Sequence, residues 1–187
     1  MRKDDAAAVA ALNGPAPKPP STIAWGKKVT KAFKQKVIAI SGRLQCDPSH
    51  LMAAMAFETG ESFRPDIVNA ASGATGLIQF IPATAEALGT STAALKAMTA
   101  PEQLDWVEKY LKPFLGRMGS VSDVYMTILW PRAVGMPDAT VIFPPPQKAY
   151  EQNKGLDANK DGQVTKGEAA AKVYAKLTKG LSKEWRG

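Results

Sequence analysis

The sequence predicts a mainly α-helical protein, and three observations support that class. Apolar residues recur at spacings of three and four along several segments, which is the period of one face of a helix. Proline and glycine stand where these segments begin and end. The alternation of apolar and polar residues that marks a half-buried strand is scarce. We therefore expect the 187 residues to form one helical domain with extensions at its ends.

The predicted elements follow one another with clear boundaries. The segment GPAPKPP at 14–20 is too rich in proline to be helical and is predicted to be an extended linker. Asp47 and Pro48 form an N-cap followed by proline at the first helical position. Helices are predicted, in chain order, over 22–44, over 48–60, from Pro82 to Gly89, from Pro101 to Pro113, from Ser122 to Pro131, and on both sides of 157–168.

These boundaries divide the chain into three parts. Residues 1–21 are a tail with the proline-rich linker, residues 22–146 are the body, and residues 147–187 are a C-terminal unit. The N-terminus, MRKDDAAAVAALNG, makes a poor signal peptide, and no apolar run approaches the ~20 residues of a membrane span. The single cysteine, Cys46, excludes an internal disulfide. We expect a monomer without a transmembrane segment.

The net charge of +7 is concentrated at the ends of the chain. Residues 1–36 hold 8 basic and 2 acidic residues, residues 148–187 hold 9 and 5, and the middle holds 7 and 10. Basic ends favour a polyanionic partner such as an anionic bacterial envelope, although a merely solvated surface explains them equally well. Nucleic acid as a partner is set aside, because no motif or interleaved aromatic residues accompany the charge.

Residues 157–168, DANKDGQVTKGE, match the calcium loop of an EF-hand in full. Acidic or amide residues stand at positions 1, 3, 5 and 12, and a glycine at position 6 permits the sharp turn. Flanking segments complete a helix-loop-helix element. We predict a structural Ca²⁺ site, with magnesium or an empty loop as alternatives. The predicted ligands are Asp157, Asn159, Asp161, the Gln163 carbonyl, Thr165 and Glu168.

Glu58 is an acid on an otherwise apolar helix face. It shares that face with Leu51, Ala54 and Met55 at helical spacing. Burial and the negative end of the helix dipole both raise a carboxyl pKa, and a protonated carboxyl can donate to a glycosidic oxygen. The alternative is that Glu58 merely solvates a helix end, which periodicity alone favours. Glu61 follows Gly60, where the helix is predicted to end, and is predicted to be a solvated surface acid.

Two motifs together give Glu58 a more specific interpretation. The segments FETGESFRP (57–65) and SGATGLIQF (72–80) resemble the lytic transglycosylase and goose-type lysozyme superfamily. The run DPSHLMAAM (47–55) is similar to the phage-encoded members, which are tail-associated or lysis enzymes. The resemblance covers roughly residues 25–150. It implies a lysozyme-like fold and an enzyme that cleaves the bond between MurNAc and GlcNAc in peptidoglycan. A virion or a holin-type pore would deliver such an enzyme to the wall.

The resemblance also implies roles for individual residues. Glu58 would be the general acid and base, Gln79 would hydrogen-bond sugar, and the backbone of Gly76 and Leu77 would line the same groove. The family's Ala-Tyr-Asn-like stretch is missing, and Tyr125 is the nearest candidate, with a core tyrosine equally plausible. The resemblance implies a mechanism with a single acid. A mechanism with a second catalytic carboxylate is the alternative, and Asp66 and Glu86 are the candidates for it.

Three further points stay open at this level. Attack by the sugar's own 6-hydroxyl would leave a 1,6-anhydro end, whereas attack by water would be lysozyme chemistry. A non-enzymatic, calcium-dependent wall-binding protein is the alternative function, since such a module would keep the groove without needing an acid at position 58. Calcium is expected to stabilise the fold rather than to act as a switch, because only one loop is present and no Met-rich groove accompanies it.

Overall fold

The computed structural model describes residues 20–187, and this part of the chain is mainly helical, as predicted. The predictions for residues 1–19 lie outside the described residues. None of the described helices combines the length and the apolar character that crossing a membrane requires. The α-helices are α1 Lys31–Leu44, α2 Pro48–Glu58, α3 Pro82–Ala87, α4 Thr92–Ala97, α5 Ala100–Leu111, α6 Val121–Leu129, α7 Lys148–Asn153 and α8 Lys166–Leu181.

Helix α2 is the central helix of the fold and begins and ends as predicted. The Asp47 side chain accepts a hydrogen bond from the backbone N–H of Ser49 at 2.7 Å, and Pro48 occupies the first turn. Gly60, with a φ of 57°, adopts the left-handed conformation that terminates many helices. Every residue from Leu51 to Ala56 is buried. A helix that is apolar on all sides is surrounded by other elements, which here are α1, α6 and α8.

The first helix is shorter than predicted. Its predicted start at about residue 22 is wrong, because α1 begins at Lys31. The preceding segment forms turns in which Trp25 has a φ of 62°. Its backbone pairs with the other end of the chain, since the N–H of Ile23 donates to the carbonyl of Gly187 at 2.7 Å. Long-range hydrogen bonds therefore replace those that additional helical turns would have made.

A short pair of strands has no counterpart in the sequence prediction. Strands β1 (Val141–Phe143) and β2 (Val164–Thr165) pair antiparallel, with Phe143 opposite Val164. Because β2 lies within 157–168, the pairing attaches this loop to the segment that follows α6. Helix α4 is also unpredicted, since its six residues are too few to show a helical period.

Helix α8 joins the C-terminal unit to the body. It packs against both α2 and α6. Its buried residues Ala169, Ala170 and Val173 belong to the same hydrophobic core as Leu51 and Met55 of α2. The division of the chain at residue 146 stays a prediction, but the two parts share one core.

Candidate active site and calcium loop

Glu58 is the last residue of α2 and is half-buried. Burial raises the pKa of its carboxyl to about 7, the direction expected from its apolar helix face. Desolvation alone accounts for this shift: within residues 20–187 neither a hydrogen bond nor another charge contributes to it. A carboxyl with this pKa can donate a proton near neutral pH and take one back.

Two tyrosines lie close enough to Glu58 for its charge to affect their pKa values. Burial and, secondarily, the charge of Glu58 raise the pKa of both Tyr125 and Tyr110. The Tyr125 ring meets the Phe57 ring edge-on at 5.4 Å, and its residue is only 5% exposed. The Tyr110 hydroxyl donates to the carbonyl of Thr127 at 2.5 Å. Sequence reasoning proposed Tyr125 and missed Tyr110, which lies three residues after Val107 of the apolar stripe of α5.

Gln79 and Tyr110 line one small cavity of about 80 Å³, together with the side chain of Ile128. The Gln79 backbone has a left-handed φ of 53°, and its side-chain N–H donates to the carbonyl of Gly76 at 3.0 Å. The side-chain oxygen accepts no hydrogen bond from the described residues, so it can accept one from a ligand hydroxyl. Because Tyr110 also lies near Glu58, the predicted acid and the predicted sugar-binding amide belong to one region.

The side chain of Gln103, which sequence reasoning missed, packs against the loop of Gly76 and Leu77 and hydrogen-bonds to it. The buried Gln103 amide accepts a hydrogen bond from the Leu77 N–H at 2.7 Å and donates to the carbonyls of Pro65 and Leu95 at 3.0 and 2.9 Å. A Cβ on Gly76 would lie 2.2 Å from its oxygen, so this close approach requires glycine. The polar groups of the loop are thus largely used internally, and the Leu77 side chain is core.

Within residues 20–187, no other carboxylate contributes to the pKa of Glu58. The Asp66 carboxylate pairs with Arg64 at 2.6 Å, and that hydrogen bond holds its pKa below the usual range. Glu86 is exposed on α3. Neither contributes to the pKa of Glu58. Glu58 is therefore a half-buried acid whose pKa is shifted by desolvation alone.

Glu61 is not the solvated surface acid that the sequence predicts. Its carboxylate accepts hydrogen bonds from Lys176 at 2.5 Å and Lys179 at 2.6 Å, both on α8. Burial alone would raise the pKa of Glu61, but the two lysines outweigh it and lower the pKa. The prediction fails because the partners lie more than a hundred residues away in sequence. The pairs attach α8 to the turn just after Glu58.

Hydrogen bonds between residues close in sequence shape the loop 157–168. One oxygen of Asp157 accepts hydrogen bonds at 3.0 Å from the Gly162 N–H and the Tyr150 hydroxyl. Its other oxygen is buried without a hydrogen-bond partner among the described residues. The Asp161 N–H donates to the Asn159 side chain at 2.9 Å, and Gly162 takes a φ of 88°. A buried, unpartnered carboxylate oxygen fits a hard cation such as calcium.

Glu168 closes the loop and caps α8. Its carboxylate accepts from the Thr165 N–H at 2.9 Å and hydroxyl at 2.8 Å, completing a capping box. Among residues 20–187, no three side chains of Asp, Glu, His or Cys are grouped as a metal site by themselves. The predicted ligand set also includes oxygen atoms of the Asn159 amide, the Thr165 hydroxyl and the Gln163 carbonyl, which are types of ligand that calcium binds.

Lys166, at position 10 of the loop, is the residue that links the loop to the body. It is 1% exposed, forms a short ion pair with Asp123, and donates to the carbonyl of Met136 at 2.6 Å. The Asp123 carboxylate also accepts from the Gly135 N–H at 2.7 Å and caps α6, the helix that carries Tyr125. Sequence reasoning missed this pair, since nothing local marks either residue as buried.

The described residues therefore combine a half-buried acid, two tyrosines near it and an amide oxygen that accepts no hydrogen bond from them. The loop 157–168 is connected to this region through α8, which packs against α2 and α6. A scan against models of known protein families finds no match to this chain. A search of curated proteins finds no match either. The functional assignment depends on the geometry of Glu58 and on the sequence motifs around it.

Proposed function

We propose that the chain is a peptidoglycan-cleaving enzyme with a lysozyme-like fold, and that Glu58 cuts the β-1,4 bond between MurNAc and GlcNAc. The observation that carries the proposal is the half-buried Glu58 carboxyl, whose pKa of about 7 leaves much of it protonated near neutral pH. The paired motifs at 57–65 and 72–80 supply the substrate class. In line with the resemblance of residues 47–55 to phage-encoded enzymes, the protein would reach the wall from a virion or through a holin-type pore.

The first step is proton transfer from Glu58 to the glycosidic oxygen. The bond to the anomeric carbon breaks, the leaving sugar departs as an alcohol, and positive charge develops on the remaining sugar. The substrate's own acetamido oxygen stabilises that charge in place of a protein carboxylate. This single-acid route fits a Glu58 whose pKa is shifted by burial, with no contribution from Asp66 or Glu86.

The second step uses Glu58 as a base. Its carboxylate removes a proton from the nucleophile, which attacks the anomeric carbon and restores the acid. If the nucleophile is the sugar's 6-hydroxyl, the product is a 1,6-anhydro end; if it is water, the product is a reducing end. We propose the first outcome; the motifs are common to lytic transglycosylases and goose-type lysozymes, so the mass of the products distinguishes the two. Gln79 would position sugar hydroxyls through its free amide oxygen, and Tyr125 would donate its hydroxyl near the reacting carboxyl.

Calcium belongs to the same proposal as a structural ion. We propose that the EF-hand-like loop 157–168 holds Ca²⁺ through its predicted ligands and that the unpartnered oxygen of Asp157 is one of them. The bound ion would neutralise the loop carboxylates and fix the start of α8. Because α8 packs on α2 and α6, a fixed loop would hold the helices that carry Glu58 and Tyr125.

Digestion of purified murein sacculi tests the proposed activity. The wild type should release muropeptides, and mass spectrometry should find them lighter by one water than hydrolysis products if the anhydro route holds. Glu58→Gln should lower the rate by about 10²–10⁴-fold, the usual contribution of a general acid. Glu86→Gln, which removes the same charge from an exposed site, is the matched control and should leave the rate unchanged.

The same experiment separates the enzyme from a wall-binding protein. If the wild type binds sacculi but releases no muropeptide, the non-enzymatic, calcium-dependent binding function is correct. If Glu58→Gln digests sacculi as fast as the wild type, Glu58 is not the acid.

A further inference from the structure

Residues 20–36 and 176–187, which belong to the two basic ends of the sequence, lie side by side. Their backbones pair: Ile23 exchanges hydrogen bonds with Gly187 in both directions, and the Lys27 N–H donates to the carbonyl of Trp185 at 3.1 Å. The Trp25 and Trp185 rings pack at 5.6 Å. We call the surface of residues 20–36 and 176–187 the basic end face. It joins segments that lie at opposite ends of the described chain.

The charge of this face is largely unneutralised. Residues 20–36 contain five lysines and no acidic residue, and Glu184 is the only acidic side chain within 176–187. Lys36, Lys176 and Lys179 are engaged by carboxylates elsewhere. A second set has no carboxylate within ion-pair distance among the described residues and remains available to a partner: Lys27, Lys28, Lys31 and Lys34.

The face also contains an apolar groove of about 650 Å³. Lysine side chains line it together with Pro20, Val29 and Ile38. Elsewhere on the basic end face, the Lys28 ammonium lies 5.0 Å from the centre of the Trp185 ring, and Leu181 is 43% exposed. Lysine, tryptophan and aliphatic side chains together are typical of surfaces that meet the boundary between lipid headgroups and acyl chains.

The groove is separate from the proposed active site. None of its lining residues lines the cavity of Gln79 and Tyr110. It is built on the N-terminal half of α1, whereas Tyr110 lies near the C-terminal end of α5. The lysines of the groove are therefore not explained by contact with the glycan at Glu58.

We infer that the basic end face binds the surface of a bilayer that contains anionic phospholipid. The unpaired lysines would lie against lipid phosphates, and the apolar groove with Leu181 and Trp185 would accept the upper parts of the acyl chains. A soluble polyanion would use the charges but leave the apolar groove uncovered. The lipid is preferred because it accounts for both features. The inference stands independently of the chemistry at Glu58.

Co-sedimentation of the full chain with lipid vesicles tests the inference. The protein should partition onto vesicles of phosphatidylglycerol and phosphatidylcholine and not onto phosphatidylcholine alone. The triple variant Lys28→Gln, Lys31→Gln, Lys34→Gln should bind the anionic vesicles on the order of 100-fold more weakly. Raising the salt from about 0.1 M to about 1 M should weaken wild-type binding, because the screening length falls from about 10 Å to about 3 Å.

A variant of equal charge provides the control. Lys96→Gln, Lys112→Gln and Lys148→Gln remove three exposed lysines from α4, from the turn after α5 and from α7. If the location of the charge matters, this control should bind vesicles like the wild type. Equally weakened binding in both triple variants would show that only net charge matters, and it would overturn the inference. Tighter binding to soluble polyphosphate than to anionic vesicles, per phosphate, would also overturn it.

Murein digestion by the same variants distinguishes a failure of membrane binding from a failure of the proposed enzyme activity. The basic-face variant should cleave isolated murein like the wild type, because its substitutions lie outside the proposed active site. Loss of vesicle binding with intact cleavage supports the membrane face. Intact vesicle binding in a protein that cleaves no murein would refute the proposed enzyme and leave the membrane face standing.

Discussion

The two acidic sites of this molecule differ in how their carboxyl groups are surrounded. In the loop 157–168, neighbours in sequence supply hydrogen bonds to the acids, as when the Gly162 N–H donates to Asp157. Glu58 instead lies half-buried at the end of α2, and its environment comes from remote elements such as α5 and α6. The loop concentrates negative charge, as the proposed cation site requires, whereas the surroundings of Glu58 disfavour its charged form.

Local sequence is sufficient to form the loop but not to set the pKa of Glu58. A twelve-residue loop encodes its own curvature, because glycine at 162 and short polar side chains close the turns within a few residues. The environment of Glu58 requires α2 to be enclosed by other helices, so its pKa is a property of the whole fold. Helix α8 connects the two sites, since it begins in the loop and packs on α2.

Breaking the buried pair between Lys166 and Asp123 should have the largest effect on stability. Lys166→Met leaves the Asp123 carboxylate buried without its cation, which should lower the free energy of unfolding by about 3–5 kcal/mol. Urea denaturation measures this loss. Lys172→Met, on an exposed position of the same helix, should change it by no more than about 0.5 kcal/mol.

The double variant Lys166→Met with Asp123→Asn makes this prediction specific. It removes both charges, so it should recover part of the stability that the single variant loses. A double variant as unstable as the sum of the two single variants would mean that the charges do not interact.

Calcium removal should have the next largest effect. If the loop binds Ca²⁺, an ion concentration a hundredfold above Kd adds about 2.7 kcal/mol to the free energy of unfolding, and chelation should lower Tm by roughly 5–10 °C. Asp157→Asn should melt at the same temperature with and without calcium. Asp105→Asn, at an exposed site on α5, should retain the full calcium response. A wild-type Tm that ignores both calcium and chelator would contradict the proposed ion site.

Removing the Glu58 carboxyl should stabilise the protein in a pH-dependent manner. The pKa of Glu58 rises from 4.5 to about 7 on folding, so the folded state holds more protons than the unfolded state between these values. Stability conferred by this site therefore falls as pH rises through that window and stays low above it. Glu58→Gln should exceed the wild type by about 1–3 kcal/mol near pH ~8, after allowance for partial exposure, and match it near pH ~4.

Thermal or urea unfolding across this pH range measures the difference. Glu86→Gln, from an exposed site, should show no such trend. A Glu58→Gln variant less stable than the wild type at pH ~8 would mean that the ionised carboxylate makes favourable contacts in the folded protein.

Much of the fold was predictable because its signals are local. The start of α2 at Asp47 and Pro48, the end of α5 before Pro113 and the loop glycine at 162 all follow from residues within a few positions. The turn that replaces the start of the first helix was not, because it depends on pairing between Ile23 and Gly187. Short elements such as α4 and β2 leave too few residues for a period.

Some residues of the candidate site could be predicted from the sequence, and others could not. Glu58 was singled out by its position on an apolar helix face together with the motifs around it, and its catalytic role stays a prediction. Gln103, Tyr110 and Lys166 were missed, because a polar residue within a helix or loop gives no sign that it is buried against a distant segment. Glu61 was assigned to solvent for the same reason, since its lysine partners belong to the last helix.

The central claim is that Glu58 retains its proton near neutral pH in the folded protein. A ¹³C NMR titration of the glutamate side-chain carboxyl carbons, with Glu58→Gln used to assign the resonance, measures this directly. The Glu58 signal should titrate with a pKa of about 7, because burial of the carboxyl disfavours its charged form. A Glu58 pKa at or below 4.5 would contradict the claim.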